Sequence, residues 1–286
     1  DFNSSLRLLE NKNGGIAGVD VPVLPSKVFV RDTLFNISES YVKYADDVLA
    51  IRDFEIQHGQ QHVILHGRAG RNMNDSIEAD INDIDVPYIL DFVKFDDVAF
   101  AGKASGRAVV KNLFSTPQAS ASLVVQDFMF EEGRMGTLYA NARWNNEDEQ
   151  IDIDALCDDE GRLTKIDGYV SPPRNYIDLG IQAYNTRGEF VANYCNSFLS
   201  NTELSIPGDV RVWGDLSFVN LTGVANASGK MHVKSLGVDY TLDNQLVELV
   251  PNDIIFMNDT IRDKYGNKAV VSGALHHKNL SRILEI

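Results

Sequence analysis

The sequence lacks any long hydrophobic run. Its apolar stretches, such as Ile254–Met257, have the length of a strand, whereas a membrane-spanning helix needs about 20 apolar residues. We therefore expect no transmembrane helix. The chain also begins at Asp1 without a methionine or a signal peptide. This is typical of a processed product or of a piece of a longer protein, so we expect any targeting segment to lie outside it.

Basic residues are scarce. The 286 residues include 26 Lys and Arg against 41 Asp and Glu, which gives a net charge of −15. Binding to nucleic acid or to anionic lipid headgroups needs basic patches, so the composition argues against both. Contact with neutral acyl chains is compatible with this charge. Because 44% of the residues are hydrophobic, the chain can still bury a substantial core.

Cysteines are few and catalytic motifs are missing. Cys157 and Cys195 lie in apolar patterns, so we expect small buried side chains rather than a disulfide or a metal site. The sequence contains no zinc-ligand spacing, nucleophile elbow or phosphate-binding loop. Acidic clusters such as Asp80–Asp85 lack the spacing of a calcium loop. The sequence therefore predicts a non-enzymatic protein without a metal or a cofactor.

Period-two alternation is the pattern that the sequence has in abundance. Apolar residues recur at every second position in stretches such as Ile151–Cys157, Ile177–Ala183 and Val210–Leu216. An extended strand points alternate side chains to opposite faces, so this pattern predicts antiparallel strands with one apolar face and one wet face. The alternation breaks at Pro87–Val93 and at Gly188–Ser200, where we expect two short helices.

Glycine and alanine recur on the apolar face in a repeated phrase. The phrase occurs as Phe100–Val110 and again as Leu221–Val233. Each predicted helix precedes a strand that contains glycine, with Gly106 and Gly208 in equivalent positions. We interpret this as a long internal repeat and divide the chain into three segments, which are residues 1–95, residues 96–200 ending in a helix, and residues 201–286.

The number of strands predicts a curved sheet. A flat sheet of roughly 16–20 strands would not persist, because sheets twist and curl. We predict an elongated, curled antiparallel or mixed β-sheet, in the form of a trough or an open barrel, with an apolar inner groove. Small side chains would leave volume in that groove. The alternative is a filled core in which glycine allows close packing or relieves curvature.

The predicted groove lining consists of apolar and small residues on the alternating face. They are Val98, Phe100, Gly102, Ala104, Gly106, Ala108, Leu138, Ala140, Ile151, Ile153, Leu216, Phe218, Met231, Val233, Val271 and Leu275. Three Asp-Ser/Thr-aliphatic tripeptides match the O-glycosylation sequon of some envelope-dwelling bacteria, with Thr33, Ser76 and Thr260 as the acceptors. Chance matches are common in a chain this rich in aspartate.

The last third of the chain resembles a known family. Gly229–Asn244, Asn252–Asn267 and Ala269–His277 are similar to the C-terminal region of TamB-type proteins, the translocation and assembly module subunits of the AsmA-like superfamily. Asp263–Gly273 carries the Asp-x-x-Gly-Asn-x-Ala-x-Leu-x-Gly phrase of that family with valine in place of leucine. The resemblance covers most of the chain in pattern and residues 205–286 most specifically.

The resemblance implies a β-taco fold with a hydrophobic groove. It also implies a place in the periplasm of the bacterial cell envelope, with an anchor in the inner membrane supplied by an N-terminal segment outside this chain. Such proteins support outer-membrane protein assembly and conduct phospholipids between the two membranes. The implied partners are phospholipid acyl chains and an outer-membrane assembly barrel protein.

Two other classes of function stay open. A carbohydrate- or protein-binding β-solenoid at the cell surface would need outward aromatic platforms, and Trp213 is the candidate because Trp144 lies in an apolar series. A β-rich hydrolase would need converging acids, and a carboxylate pair with strongly shifted pKa values in a pocket would point to one.

Overall fold

The chain is mainly β, as predicted. The computed structural model describes residues 3–10, 15–30, 32–72, 74–90, 98–277 and 284–285. The described strands are β1 (Arg7–Glu10), β2 (Ile16–Val23), β3 (Ser26–Val30), β4 (Thr33–Ile37), β5 (Ser40–Ala45), β6 (Val48–His58), β7 (Gln61–Ala69), β8 (Ser76–Asp85), β9 (Phe100–Lys111), β10 (Gln118–Phe130), β11 (Gly133–Asn145), β12 (Gln150–Asp159), β13 (Arg162–Ser171), β14 (Tyr176–Arg187), β15 (Leu199–Asp215), β16 (Phe218–Val233), β17 (Val238–Val250), β18 (Asp253–Asp263), β19 (Lys268–His277) and β20 (Leu284–Glu285). The two short helices are α1 (Val86–Leu90) and α2 (Phe190–Tyr194).

Consecutive strands pair in an antiparallel ladder. β5 to β9 pair in chain order, β2 joins β1 to β5, and β3 and β4 attach through β6. β12 to β19 also pair in chain order, and the short β20 pairs with β19. Across the described residues, the strands belong to one sheet that is not closed into a barrel.

The chain divides into two compact units. The first consists of Asp1–Ile89, Lys103–Val124 and Asn141–Glu149, and the second of Leu90–Gly102, Val125–Ala140 and Gln150–Ile286.

Each unit has its own packed residues. In the first, the ring of Phe35 lies 5.6 Å from His58 and 5.5 Å from Tyr88 between ring centroids. In the second, a buried cluster consists of Val170, Ile177, Leu216 and Val219, and Ile153, Leu179 and Val212 pack against it.

The second helix is shorter than the broken alternation suggests. The prediction for Pro87–Val93 corresponds to α1, Val86–Leu90, and residues 91–93 lie outside the described part of the chain. The prediction for Gly188–Ser200 corresponds to α2, Phe190–Tyr194. The backbone N–H of Cys195 still donates to the Val191 carbonyl at 2.9 Å. The helix goes no further because Leu199 already pairs with Val233 as the first residue of β15.

Bulges with a left-handed Asn or Asp interrupt several strands. Leu242 of β17 pairs with Ile261, pairing resumes at Val247 with Phe256, and Asn244 between them has φ +50°. Asn and Asp tolerate this conformation because their short side chains bond the local backbone. A bulge bends its strand and increases the local twist. After the bulge, the side chains of the apolar face occupy odd-numbered instead of even-numbered positions of β17. Leu242 and Val247 therefore share a face.

Several strand glycines lie against the backbone of a neighbouring strand rather than beside open volume. Gly168 of β13 has φ +141°, and a Cβ there would be 2.1 Å from the carbonyl oxygen of Asp178 on β14. The same holds for two predicted lining residues: a Cβ at Gly106 would be 2.1 Å from the Ser122 carbonyl oxygen, and one at Gly102 would be 2.9 Å from the Gln126 carbonyl oxygen. Glycine therefore permits close backbone approach at these positions, and the expectation that it leaves groove volume there is wrong.

Candidate functional site

The apolar face of β12–β19 is continuous across the strands. The pairing register places residues of this face opposite one another, which builds rows that run across the sheet. One row is Ile153–Gly168–Leu179–Val212–Leu221. The next, called the middle row here, is Ala155–Ile166–Ile181–Val210–Gly223–Leu249–Ile254–Leu275. A third is Cys157–Thr164–Ala183–Gly208–Ala225–Val247–Phe256–Gly273.

Burial differs along this face. At the end of the strands where β13 turns into β14, Val170 and Ile177 are 9% and 4% exposed and belong to the buried cluster of the second unit. In the middle row, the larger side chains Ile181, Val210 and Leu249 are half-buried. The apolar face is therefore packed around Val170 and Ile177 and again at Cys157 and Thr164 of the third row, which are 0% and 3% exposed, and the larger side chains of the middle row keep some contact with solvent between them.

The structure brings some of the predicted lining residues together. Ile153 packs against the buried cluster that contains Leu216. Leu275 pairs with Ile254, and Met231 pairs with Tyr240. Ala104, Gly106 and Ala108 belong to the first unit, and the other predicted lining residues belong to the second.

The exposure of the predicted lining residues varies. Val98, Ala104 and Leu216 are buried, and Phe218 and Val271 are exposed. The others are half-buried, and they are Phe100, Gly102, Gly106, Ala108, Leu138, Ala140, Ile151, Ile153, Met231, Val233 and Leu275.

The alternation pattern does not predict an aromatic cluster that the structure forms around Phe100 and Phe130. The ring centroid of Phe100 lies 5.9 Å from that of Phe128 and 5.5 Å from that of Phe130, and Phe130 lies 5.4 Å from Phe190 of α2. Apolar residues of β10 occupy odd positions up to Val125 and even positions from Phe128. Asp127 lies between them with φ +49°. A switch of the apolar residues from odd to even positions across an Asp or Asn is the sequence signal that would have predicted this cluster.

A buried carboxyl group lies on the apolar face. Asp259 is 5% exposed and pairs with Val271, and its Oδ2 has no hydrogen-bond partner among the described residues. Burial raises the pKa of this carboxyl group.

The three predicted O-glycosylation acceptors are half-buried in strands. Thr33 Oγ1 in β4 accepts a hydrogen bond of 2.7 Å from the Tyr88 hydroxyl, and the Ser76 hydroxyl in β8 donates one of 3.0 Å to Glu78. Thr260 lies in β18, and its backbone N–H donates to Gln245 at 2.6 Å.

A charge cluster surrounds Asp159 at the end of β12. Asp159 is 3% exposed, and its Oδ1 lies 2.7 Å from Arg134 Nε while Arg187 Nε contacts its Oδ2. Glu160 and Glu189 approach Arg187 from the outside at 3.7 Å and 3.6 Å. The Asp159 carboxylate raises the pKa of the Arg187 guanidinium group, so the arginine stays charged. This cluster joins β11, β12 and β14 within the second unit.

Both cysteines are buried and free, as predicted for small apolar side chains. Cys157 is 0% exposed and Cys195 is 4% exposed. Burial raises the pKa of each thiol to about 12. Burial therefore disfavours the thiolate, which is the nucleophilic form of each cysteine.

We expect the native protein to resist thiol-specific reagents. At about pH 8 the thiolate fraction of either cysteine is on the order of 10⁻⁴, because the protein interior disfavours the charged form. Titration with a chromogenic disulfide should modify neither cysteine in the folded chain and both in concentrated guanidinium. A Ser235→Cys variant, with the new thiol in an exposed turn, should react at once. Equal rates for the native and the variant chain would contradict the burial of these thiols.

Two surface depressions lie in the second unit. One has a volume of about 510 Å³, and the residues that line it include Gln182, Tyr184, Pro207, Asp209, Val224, Asn226 and Leu246. Tyr184 is 61% exposed. The other has a volume of about 330 Å³ and lies beside Arg134, Asp158 and Glu160. Most of the side chains around the first belong to the face opposite the rows described above.

The described residues contain neither a cluster of metal ligands nor a membrane-spanning helix. Within them, no group of three or more His, Cys, Asp or Glu side chains is placed to hold a metal ion. The helices in this part of the chain are too short and not apolar enough to cross a bilayer.

Comparison with protein-family models, with curated proteins and with solved structures gives no match for this chain.

Proposed function

We propose that the apolar face of β12–β19 shields lipid acyl chains, and that the protein is a non-enzymatic component of lipid transport or outer-membrane assembly in a bacterial envelope. The observation that carries this proposal is the middle row, which runs in register across eight strands and whose Ile, Val and Leu side chains are half-buried. A row of this kind offers a long, neutral surface of the sort that an acyl chain contacts.

The energetics favour a long apolar ligand. Each methylene group transferred from water to such a surface contributes about 0.8 kcal/mol. An acyl chain that contacts several strands can therefore gain enough to offset the loss of its own freedom. Bulges such as the one at Asn244 bend their strands, and a bent strand can wrap its apolar face around a ligand. The net charge of −15 has no bearing on contact with a neutral chain.

The envelope location and the protein partner are part of the proposal. They rest on the resemblance of Asp263–Gly273 and its neighbours to TamB-type proteins. On this proposal the chain lies in the periplasm, segments outside it provide an inner-membrane anchor, and an outer-membrane barrel protein receives the lipid or the client.

Native mass spectrometry with matched variants tests the proposal. Protein purified from a bacterial host should retain phospholipid, and Val210→Asp should reduce the bound fraction at least about fivefold because it places a charge in the middle row. Val224→Asp is the control, since Val224 is 48% exposed on the opposite face of the neighbouring strand β16. Circular dichroism establishes that both variants fold. Absence of lipid from the native chain, or equal loss in the two variants, would overturn the proposal.

A second candidate function is favoured by the depression beside Tyr184. An exposed aromatic ring next to Gln182, Asp209 and Asn226 has the chemistry of a carbohydrate site. Trp213 is a weaker platform than the sequence suggested, because the Arg211 guanidinium group lies 5.8 Å from its ring centroid. Calorimetric titration with oligosaccharides, with Tyr184→Ala as the variant, separates this function from lipid binding.

A further inference from the structure

The antiparallel ladder between β17 and β18 has a gap. Among the described residues, no ladder pair joins residues 243–246 to residues 257–260, and regular pairing continues on both sides of them. Asn258 within the gap has the left-handed conformation of a bulge residue, with φ +58°. A bulge disrupts the ladder locally, so the two strands are held together less firmly here than on either side. This gap is called the β17–β18 junction here.

Asp259 lies in this junction and faces the apolar side of the sheet. It is 5% exposed, and its Oδ2 has no hydrogen-bond partner among the described residues. The amide of Gln245 across the junction is already used. Its Oε1 accepts a hydrogen bond of 2.6 Å from the Thr260 backbone N–H, and its Nε2 donates to the Asp243 carbonyl oxygen. A buried polar atom without a partner is rare in proteins, and a buried charge is normally paired.

The described side chains around Asp259 offer no counter-ion. On the apolar face its neighbours are Leu242 and Val247 of β17, Phe256 and Ile261 of β18, and Ala269 and Val271 of β19. The titratable groups further along this face are Tyr240 and Asp263, which pair with each other at the end of the two strands. The basic residues next to the junction, Arg262 and Lys268, pair with each other on the opposite face. An ionised Asp259 would therefore be a buried charge without compensation.

The protonated carboxyl group fits this position better than the carboxylate does. A buried charge without a partner is costly enough to make the group neutralise or move towards water. The junction is also where β18 can move most easily, because fewer ladder hydrogen bonds oppose a local opening there. We infer that the β17–β18 junction is a pH-sensitive latch, which is closed while Asp259 is protonated and loosens when the Asp259 carboxylate turns towards water.

The direction of the pH dependence follows from the surroundings of the carboxyl group. Burial raises the pKa of Asp259, and a hydrogen bond with the Met257 backbone opposes part of this rise. Because the pKa is higher in the folded chain, the stability that Asp259 contributes is complete below the ordinary aspartate pKa and is lost as the pH rises through the folded value.

Asp263 on the same strand behaves in the opposite way. The Asn267 side chain donates a hydrogen bond of 2.8 Å to the Asp263 carboxylate and lowers its pKa. The stability that Asp263 contributes is therefore present above the ordinary aspartate pKa and is lost as the pH falls. A loosening on raising the pH is thus specific to Asp259 among these two carboxyl groups of β18.

Amide hydrogen exchange of the intact chain tests the latch. After correction for the intrinsic exchange rates, protection at residues 257–260 should fall at least about threefold as the pH rises from about 4 to about 8, because protection reports the local opening equilibrium. The Asp259→Asn variant keeps the size of the side chain and cannot ionise. Its protection at residues 257–260 should not depend on pH over this range.

Asp243→Asn is the matched control, because Asp243 is an exposed carboxyl group in the same junction. This variant should keep the pH dependence of the native chain. An NMR titration of the side-chain carboxyl groups is a second measurement that needs no variant, since the pKa of Asp259 should lie above the ordinary value and that of Asp263 below it. Protection that does not change with pH in the native chain, an unchanged pH dependence in Asp259→Asn, or a pKa of Asp259 at or below the ordinary value would each overturn the inference.

Discussion

Replacing Gly168 with alanine is expected to lower the free energy of unfolding by about 3 kcal/mol, which is at the upper end of what single substitutions cost. The added Cβ would lie 2.1 Å from the Asp178 carbonyl oxygen and 2.9 Å from the Leu179 Cα, so the backbones of β13 and β14 must separate. The φ of +141° adds strain, because residues with a side chain rarely adopt it.

Gly180 provides a matched control on the neighbouring strand. It pairs with Asp167, the residue before Gly168. A Cβ at Gly180 would have its nearest contact at 3.7 Å, an ordinary van der Waals distance. We therefore expect Gly180→Ala to change stability by less than about 0.5 kcal/mol or to stabilise slightly, since alanine restricts the unfolded chain.

Thermal unfolding and hydrogen exchange separate the two outcomes. For a chain of this size the melting temperature should fall by about 6 °C in Gly168→Ala, at roughly 2 °C per kcal/mol, and should stay nearly constant in Gly180→Ala. Amides of β13 and β14 should lose protection only in the first variant. Equal effects of the two substitutions would contradict the close approach of the two backbones at Gly168.

The difference between these two glycines shows what the sequence could and could not predict. Alternation in Ile151–Cys157 and Ile177–Ala183 identifies the apolar face correctly, because the two-residue period of a strand is a local property. The sequence does not distinguish Gly168 from Gly180, because the clash depends on how the neighbouring strand approaches. That approach is set by long-range register, which no local pattern contains.

Bulges account for most of the remaining differences between the strand faces predicted from alternation and those in the structure. Alternation continued through Asp127 or Asn244 would assign the following residues to the wrong face, since each bulge inserts one residue. The aromatic contacts of Phe128 and Phe130 were missed for this reason. The burial of Asp259 was missed for a related reason. Asp259 follows the bulge at Asn258 and therefore lies on the apolar face.

Replacing Asp159 with alanine is expected to destabilise the protein by about 3 kcal/mol, the cost of removing one partner from a buried ion pair. Asp159 is 3% exposed, whereas its partners Arg134 and Arg187 are 55% and 27% exposed. After the substitution Arg134 can turn towards water. Arg187 has less freedom to do so, because its side chain is only 27% exposed, so a partly buried cation would be left with only the outer carboxylates of Glu160 and Glu189.

Glu160→Gln is the matched control, because Glu160 follows Asp159 directly, contacts the same two arginines and is 69% exposed. Exposed ion pairs contribute about 0–1 kcal/mol, so this variant should change stability by less than about 0.5 kcal/mol. Added salt should screen the Glu160 contribution and leave the Asp159 contribution nearly unchanged. In a double-mutant cycle, Asp159→Ala combined with Arg187→Met should cost at least about 1 kcal/mol less than the sum of the single substitutions. Additive effects would instead mean that Asp159 stabilises the junction of β11, β12 and β14 through packing alone.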